Sequence, residues 1–281
     1  MKYITIKSYA KINLALNITG KTPSLHKIES IIAFIDLHDV IMIKKIKSNK
    51  HNISFIGKFS KKISKNNTVS RLIEILEKKN ILKKSKFKIK INKQIPSKAG
   101  LGGGSMNAAS ILNYFVKKKI IKVHSKDLAN ISRMIGSDVI LGLRSSHCIL
   151  NSKNEVKYFK NLKKIYTLII KPNFGCSTKD IYSKVRKFNK PKLMQPNKGM
   201  FSLNYLKNMS NSLEEIAFSK YSKLKSIKIY LEKLQKTVFV RMTGSGSALV
   251  AYFQSRQECE IAKRLINKKY KNYWCIASKT I

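Results

Sequence analysis

Hydrophobic and polar positions alternate along the first part of the chain, as they do in strands that bury one face. The alternation predicts a first strand over residues 3–18 and one or two Ile-rich strands over residues 28–46, with a loop over residues 19–27 between them. A later alternation of apolar residues with lysine, over residues 87–91, predicts a strand that ends at Pro96. These segments indicate a sheet in the N-terminal half.

Apolar residues three or four positions apart predict helices in the same half. They cover residues 67–79 and 105–119, and a third helix, which Ser125 can cap, runs through Ile135. A turn over residues 136–138 follows the third helix.

The pattern restarts after about residue 155. Short apolar strands are predicted over residues 166–171, 238–242 and 249–253, and the last two flank a glycine-containing loop. Because helices and strands are mixed without strict alternation, we expect an α+β fold with two domains, residues 1–155 and 156–281. The remaining predicted elements are loops over residues 172–177 and 189–199, helices over residues 213–218, 224–234 and 258–267, and a final strand over residues 274–277.

The composition supports a folded core in a very basic chain. Of the 281 residues, 43% are hydrophobic, which is typical of a globular protein, and the formal net charge is +44. Such a charge can attract a polyanionic partner, such as a nucleic acid or an anionic membrane. However, only 7 of the 58 basic residues are arginine and the lysines are spread along the chain, whereas specific base recognition favours clustered arginine. The sequence therefore favours a compositional bias over a nucleic-acid function.

The four cysteines, Cys148, Cys176, Cys259 and Cys275, form no C-x-x-C pair and no metal-ligand spacing with the five histidines. We expect buried or unreactive thiols in a reducing compartment. The chain lacks an apolar run long enough to span a membrane and starts directly with a strand pattern rather than a signal core. These features predict a cytoplasmic protein with no membrane partner.

Gly100, Gly102, Gly103 and Gly104 lie between a predicted strand and a predicted helix. Backbone without side chains can approach a ligand closely, and the unpaired N–H groups of a helix start attract anions. The cluster therefore predicts a phosphate site, most naturally for a nucleotide, with a plain flexible turn as the alternative. It fits neither the P-loop pattern nor the dinucleotide pattern, so an oxidoreductase is disfavoured.

Three further positions carry candidate chemistry. The loop over residues 243–247 is either an ordinary hairpin loop or a second backbone loop that converges with the first on one anionic substrate. Asp138 precedes an apolar run, so we expect it to be partly buried, either paired with a cation or capping a turn. Lys11 lies within the most apolar strand and would be a natural partner for a buried aspartate.

Three blocks of sequence, "YAKINLALNITG", "PSKAGLGGGSMNAAS" and "MTGSGSALVAYF", resemble the GHMP kinase superfamily. Within it, they look most like the kinases that act on 4-diphosphocytidyl-2-C-methyl-D-erythritol, and the resemblance covers almost the entire chain. It implies an α+β fold of two lobes, a ribosomal S5 domain 2-like N-terminal lobe and a ferredoxin-like C-terminal lobe, with the active site in the cleft. The implied reaction is ATP-dependent phosphorylation of the substrate 2-hydroxyl, a step of the non-mevalonate route to isoprenoid precursors.

The resemblance also implies roles for individual residues. Lys11 and Asp138 resemble the catalytic pair, in which the aspartate accepts the hydroxyl proton and the lysine keeps it ionised. His26 is expected to contact the cytosine, on which Tyr182 stacks. Magnesium is implied by the ATP chemistry, and no residue is assigned to it. The residues that resemble the nucleotide site are Asn67, Pro96, Ser97, Lys98, Ala99, Gly100, Leu101, Gly102, Gly103, Gly104, Ser105 and Met106, and those that resemble the substrate site are Asn13, His26, Tyr182, Thr243, Gly244 and Ser245.

There are two departures from the family pattern. The usual Gly-Tyr-His triplet reads Ser24-Leu25-His26, so one face of the cytosine would lose an aromatic partner, worth about 0.5–1.5 kcal/mol. Met106 stands where the family has a second serine, which removes one possible phosphate or magnesium contact. Two alternatives stay open: another GHMP kinase acting on a different alcohol, and a basic nucleic-acid-binding protein. Nothing in the sequence indicates an oligomeric state.

Overall fold

The computed structural model describes residues 2–23, 25–61, 63–82 and 85–281. Ser24, one of the two substitutions in the triplet, lies outside the described residues. Within the described parts, the strands are β1 (Ile4–Lys21), β2 (His26–Ile46), β3 (Asn52–Ile56), β4 (Lys86–Asn92), β5 (His147–Leu150), β6 (Val156–Phe159), β7 (Tyr166–Lys171), β8 (Phe239–Met242), β9 (Leu249–Phe253) and β10 (Trp274–Lys279). The α-helices are α1 (Thr68–Lys78), α2 (Gly103–Lys117), α3 (Ser125–Ile135), α4 (Thr178–Ser183), α5 (Leu203–Lys207), α6 (Glu214–Lys220), α7 (Ser222–Glu232) and α8 (Arg256–Lys269), and Val139–Leu143 and Lys198–Phe201 are 3₁₀ helices.

The chain folds into two compact units made of interleaved segments. Unit 1 consists of the described residues of Met1–Ala10, Leu37–Ser97 and Gly102–Ser145, and unit 2 of those of Lys11–Asp36, Lys98–Leu101 and Ser146–Ile281. The long strands β1 and β2 each contribute one part to unit 1 and the other part to unit 2.

Unit 1 is a sheet covered by helices. The second half of β2 pairs antiparallel with β4, and β3 pairs parallel with β4 on its other side. Ile89 and Ile91 of β4 share one apolar core with Leu72 of α1 and Phe115 of α2. The helical spacing of apolar residues in α1 and α2 thus covers the sheet face on which β4 places alternate side chains.

Unit 2 contains an antiparallel sheet with the strand order β10-β7-β9-β8. Its core joins Ile170 and Phe253 of the sheet to Leu224 and Leu231 of α7 and Ile266 of α8. The first half of β2 pairs antiparallel with β5, which pairs antiparallel with β6. No helix in the described part of the chain is long and apolar enough to cross a membrane.

The predicted α+β class is confirmed, and the predicted bounds of β7 and β9 match those of the structure. The predicted cap of α3 is wrong: His124 occupies the N-cap position, where no side chain makes a capping bond, and Ser125 is the first helical residue. The loop predicted over residues 19–27 is shorter, because β1 continues to Lys21 and β2 already begins at His26.

The strand β4 ends at Asn92 rather than at Pro96. The backbone N–H groups of Gln94 and Ile95 donate to the side chain of Asp39 instead of to a neighbouring strand. The helix α2 begins at Gly103, two residues earlier than predicted, and Gly102 before it adopts the left-handed conformation. The sequence pattern missed β3, β5, β6, α4 and α5.

The cysteines are buried as predicted, with Cys275 partly exposed. Burial raises the pKa of the Cys176 thiol to about 11 and that of the Cys259 thiol to about 12. Neither thiol is therefore ionised at neutral pH, and neither has the character of a nucleophile.

Candidate active site

The glycine segment ends in a helix start whose N–H groups are available. Gly102 precedes α2 with a φ of 68°, and no side chain among the described residues caps the helix. The N–H of Met106 closes the first intrahelical bond with the carbonyl oxygen of Gly102 at 2.9 Å. The N–H groups of Gly103, Gly104 and Ser105 precede that bond and lack intrahelical partners. This geometry suits an anion such as a phosphate.

The start of α1 lies beside the start of α2. The hydroxyl of Thr68 donates to the carbonyl oxygen of Gly104 at 2.7 Å. Asn67, a predicted nucleotide residue, caps α1, and its Oδ1 accepts from the N–H groups of Val69 and Ser70 at 2.9 and 3.1 Å. Asn67 therefore lies beside Thr68, which contacts the glycine segment, and its side chain has a capping role. Its place near the adenine stays a prediction.

Met106 turns its side chain into the protein interior, where 1% of the residue is exposed. A Cβ atom placed on Gly142 would lie 2.9 Å from the Met106 sulfur, so the thioether packs against the 3₁₀ helix that follows Asp138. The methionine therefore takes part in the packing of α2, whereas a serine there would offer a polar group.

Asp138 is half-buried in the turn between α3 and the 3₁₀ helix, as predicted. The N–H of Val139 donates to the carbonyl oxygen of Gly136 and fixes this turn. A Cβ atom placed on Gly136 would lie 4.0 Å from the Ser105 hydroxyl. The turn that carries Asp138 thus runs beside the first turn of α2, both in unit 1.

Lys11 belongs to unit 2 and points inward, with 4% of the residue exposed. Its Nζ donates to Asn13 Oδ1 at 2.6 Å, and its backbone N–H donates to the carbonyl oxygen of Leu101 at 3.1 Å. The Asn13 amide is oriented in turn, because its Nδ2 donates to the Ser30 hydroxyl at 2.8 Å. Two predicted site residues, Lys11 and Asn13, therefore form one ordered hydrogen-bonded group.

The two glycine-containing loops meet in unit 2. The backbone N–H groups of Ser247 and Ala248 donate to the carbonyl oxygens of Lys98 and Ala99, each at 3.2 Å. Thr243 Oγ1 accepts from the N–H of Asn13 at 3.0 Å. The loop over residues 243–247 is thus a hairpin loop that also contacts residues 98–101. Its convergence with the first loop on one anionic substrate stays a prediction.

His26 and Tyr182, both predicted to contact the substrate, lie together in unit 2. Their ring centroids are 5.2 Å apart, and the ring of Phe188 lies 6.4 Å from His26. Partial burial and the nearby charge of Lys21 lower the pKa of His26, which favours its neutral form. Phe188 is 47% exposed and was not singled out from the sequence, because a single aromatic in a lysine-rich loop has no pattern that marks it.

Among the described residues, no group of three or more His, Cys, Asp and Glu side chains is placed to hold a metal ion.

Comparisons with known proteins show which family this chain resembles in sequence. Residues 67–149 match the family model described as GHMP kinases N terminal domain. The chain is 56% identical over 281 residues to the 4-diphosphocytidyl-2-C-methyl-D-erythritol kinase of Pelagibacter ubique, with all of both chains covered. It is 33% identical over 275 residues to the Clostridium botulinum protein of the same name. That match covers 94% of this chain and 96% of the Clostridium botulinum chain.

Solved structures agree on the fold. A crystal structure of a 4-(cytidine 5'-diphospho)-2C-methyl-D-erythritol kinase matches with a TM-score of 0.80 at 23% identity, over 99% of this chain and all of the other. A homoserine kinase from Cytophaga hutchinsonii matches with a TM-score of 0.73 at 16% identity, over all of this chain and 95% of the other. At these identities the likeness concerns the fold alone, and it confirms the fold that the sequence resemblance implied.

Proposed function

The chain belongs to the 4-diphosphocytidyl-2-C-methyl-D-erythritol kinase family of the GHMP kinases, and on that premise we propose that it transfers the γ-phosphoryl group of ATP to the 2-hydroxyl of this cytidine diphosphate alcohol. The observation that carries the proposal is the 56% identity, over the full length of both chains, to a kinase of that name. The relatives support this activity. They support neither another GHMP kinase acting on a different alcohol nor a basic nucleic-acid-binding protein.

The nucleotide is the first substrate. We assign the binding of its phosphates to residues 96–106, with the uncapped N–H groups of Gly103, Gly104 and Ser105 facing the negative charge. Asn67 lies beside this segment and is assigned to the adenine side. Magnesium enters with ATP in this proposal, since it is commonly held by substrate phosphates and water together with one or two carboxylates.

The chemical step needs a base for the alcohol. In the proposed reaction the 2-hydroxyl gives its proton to the Asp138 carboxylate as its oxygen bonds to the γ-phosphorus. The bond between the γ-phosphorus and the bridging oxygen breaks, and ADP leaves with that electron pair. We assign to Lys11 the task of favouring the ionised forms of the aspartate and the alcohol.

The cytidine end of the alcohol is assigned to unit 2. Tyr182 offers a ring for stacking, and neutral His26 offers one ring nitrogen as donor and the other as acceptor to the cytosine edge. Asn13, Thr243, Gly244 and Ser245 are assigned to the remainder of the alcohol. The lowered pKa of His26 supports this assignment, because the imidazole keeps its acceptor at physiological pH.

The test is a substrate comparison with the purified protein and MgATP. The cytidine diphosphate alcohol, mevalonate and homoserine are supplied separately, and ADP release is measured together with the mass of the phosphorylated product. We expect one phosphoryl group per ADP on the cytidine alcohol and at least about a hundredfold lower kcat/KM for the other two alcohols. Comparable turnover of mevalonate or homoserine, or no turnover of the cytidine alcohol, contradicts the proposal.

A further inference from the structure

Asp39 is a carboxylate with no exposed surface that the proposed chemistry leaves unused. It lies on β2 in unit 1. Its Oδ1 accepts from the backbone N–H groups of Gln94 and Ile95 at 2.7 and 2.9 Å. Its Oδ2 accepts from Asn107 Nδ2 at 3.0 Å and forms an ion pair with Lys93. Both carboxylate oxygens of Asp39 therefore accept hydrogen bonds.

The donors bracket the segment assigned to the ATP phosphates. Gln94 and Ile95 immediately precede Pro96, and Asn107 immediately follows Met106. One carboxylate thus binds both ends of the segment. Among the described residues the Asn107 amide oxygen has no hydrogen-bond partner, so the bond from Nδ2 to Asp39 is what orients this side chain on α2.

Lys93 makes this arrangement electrically neutral. Only 5% of the residue is exposed, and its Nζ lies 3.3 Å from the position that a Cβ atom on Gly103 would occupy. The lysine therefore reaches the start of α2. A buried carboxylate without such a partner is costly, and near a helix start it would also repel a phosphate.

We propose that Asp39 is a positioning residue for the nucleotide: it holds Gln94 and Ile95, just after β4, at a fixed separation from Asn107 in the second turn of α2, and so fixes the position of the first turn. The N–H groups of that turn then point at the phosphates before ATP arrives, so binding does not have to order the loop. This inference rests on the proposed function only in its assignment of residues 96–106 to ATP. A purely structural carboxylate would stabilise unit 1 without affecting nucleotide affinity.

The test compares two double variants that both lack the buried charges. Asp39→Asn with Lys93→Met keeps an amide oxygen for Gln94 and Ile95, and its amide nitrogen can donate to the Asn107 oxygen after that amide turns over. Asp39→Ala with Lys93→Met removes every anchor at this position. Any direct effect of losing the lysine is common to both variants, so their difference reports the anchoring alone.

ATP affinity is measured by calorimetry on the full chain, without the second substrate, and thermal unfolding is measured alongside. We expect the alanine double variant to bind ATP at least tenfold more weakly than the asparagine double variant, with an unchanged KM for the alcohol. Equal ATP affinity in two folded double variants overturns the proposal and leaves Asp39 a structural residue.

A milder variant keeps the test decisive if the alanine double variant does not fold. Asn107→Ala removes only the anchor on α2, and we expect it to weaken ATP binding about threefold or more; unchanged affinity overturns the proposal. Because ATP binding is measured directly, these outcomes are distinct from a failure of the proposed function, which would appear as absent turnover of the cytidine alcohol by the unmodified protein.

Discussion

The hydroxyl of Thr243 donates a hydrogen bond to the carbonyl oxygen of Gly100 across 3.1 Å, which joins two glycine-containing loops that are distant in the sequence. Gly100 has a φ of +74°, and a Cβ atom placed on it would lie 1.9 Å from the carbonyl oxygen of Thr243. The closeness of the two backbones therefore depends on the absence of a side chain at residue 100.

Gly100→Ala is expected to destabilise the protein. The left-handed conformation costs an alanine roughly 1–2 kcal/mol, and relieving the overlap with Thr243 has to move backbone, so we expect a loss of at least about 2 kcal/mol in urea unfolding. Gly20→Ala is the matched control, because a Cβ atom there would meet nothing closer than 3.5 Å. Similar unfolding free energies for the two variants would show that the loops do not approach so closely.

The sequence predicted those parts of the site that local patterns determine. Lys11 was singled out because it lies within the most apolar strand, and it is buried; Asp138 was expected to be partly buried because an apolar run follows it, and it is half-buried. The end of β4 could not be predicted in this way, because it depends on Asp39, which lies far away in the sequence and accepts the N–H groups of Gln94 and Ile95. Contacts of this kind leave no periodic signal.

Short strands were missed for a different reason. The four residues of β5 are all buried and show no alternation, so nothing in their pattern distinguishes a strand from buried helix or loop. The roles of Lys11, Asp138 and the cytidine-side residues came from the family resemblance, and they remain predictions that the following variants test.

Asp138→Asn is expected to lower kcat by at least about a hundredfold, the usual scale for the loss of a general base. The amide has nearly the shape of the carboxylate and cannot accept the alcohol proton, so thermal unfolding and ATP affinity should stay close to those of the unmodified protein. Asp127→Asn, the same change at an exposed position in the first turn of α3, is the matched control and should keep kcat within about twofold. Steady-state kinetics that leave Asp138→Asn near normal turnover would exclude Asp138 as the base.

Tyr182→Ala is expected to raise the KM for the alcohol about tenfold or more while the KM for ATP stays the same. Loss of the ring removes both buried apolar area and the stacking contribution, together more than the roughly 1.4 kcal/mol that corresponds to a factor of ten. Tyr182→Phe keeps the ring and should restore the KM for the alcohol. Equal effects of the alanine change on both substrates would mean that the residue acts on the fold rather than on the cytosine.

His147 is expected to make stability depend on pH. Its ring is buried, and Nδ1 accepts the backbone N–H of Phe34 at 3.2 Å, which requires an unprotonated nitrogen. Burial lowers the pKa of His147 from 6.5 to about 4. Between these two values the unfolded chain binds the proton and the folded chain does not, so the unfolding free energy contributed by this group falls as the pH falls, by roughly 3 kcal/mol in total.

His147→Asn provides the comparison, because an amide oxygen can accept the Phe34 N–H and does not titrate. We expect urea unfolding of the unmodified protein to weaken more steeply than that of the variant between pH 6.5 and pH 4, with the two curves parallel above pH 7. Curves that stay parallel down to pH 4 would mean that the folded protein admits the protonated ring, and the bond to Phe34 would then not hold His147 in its neutral form.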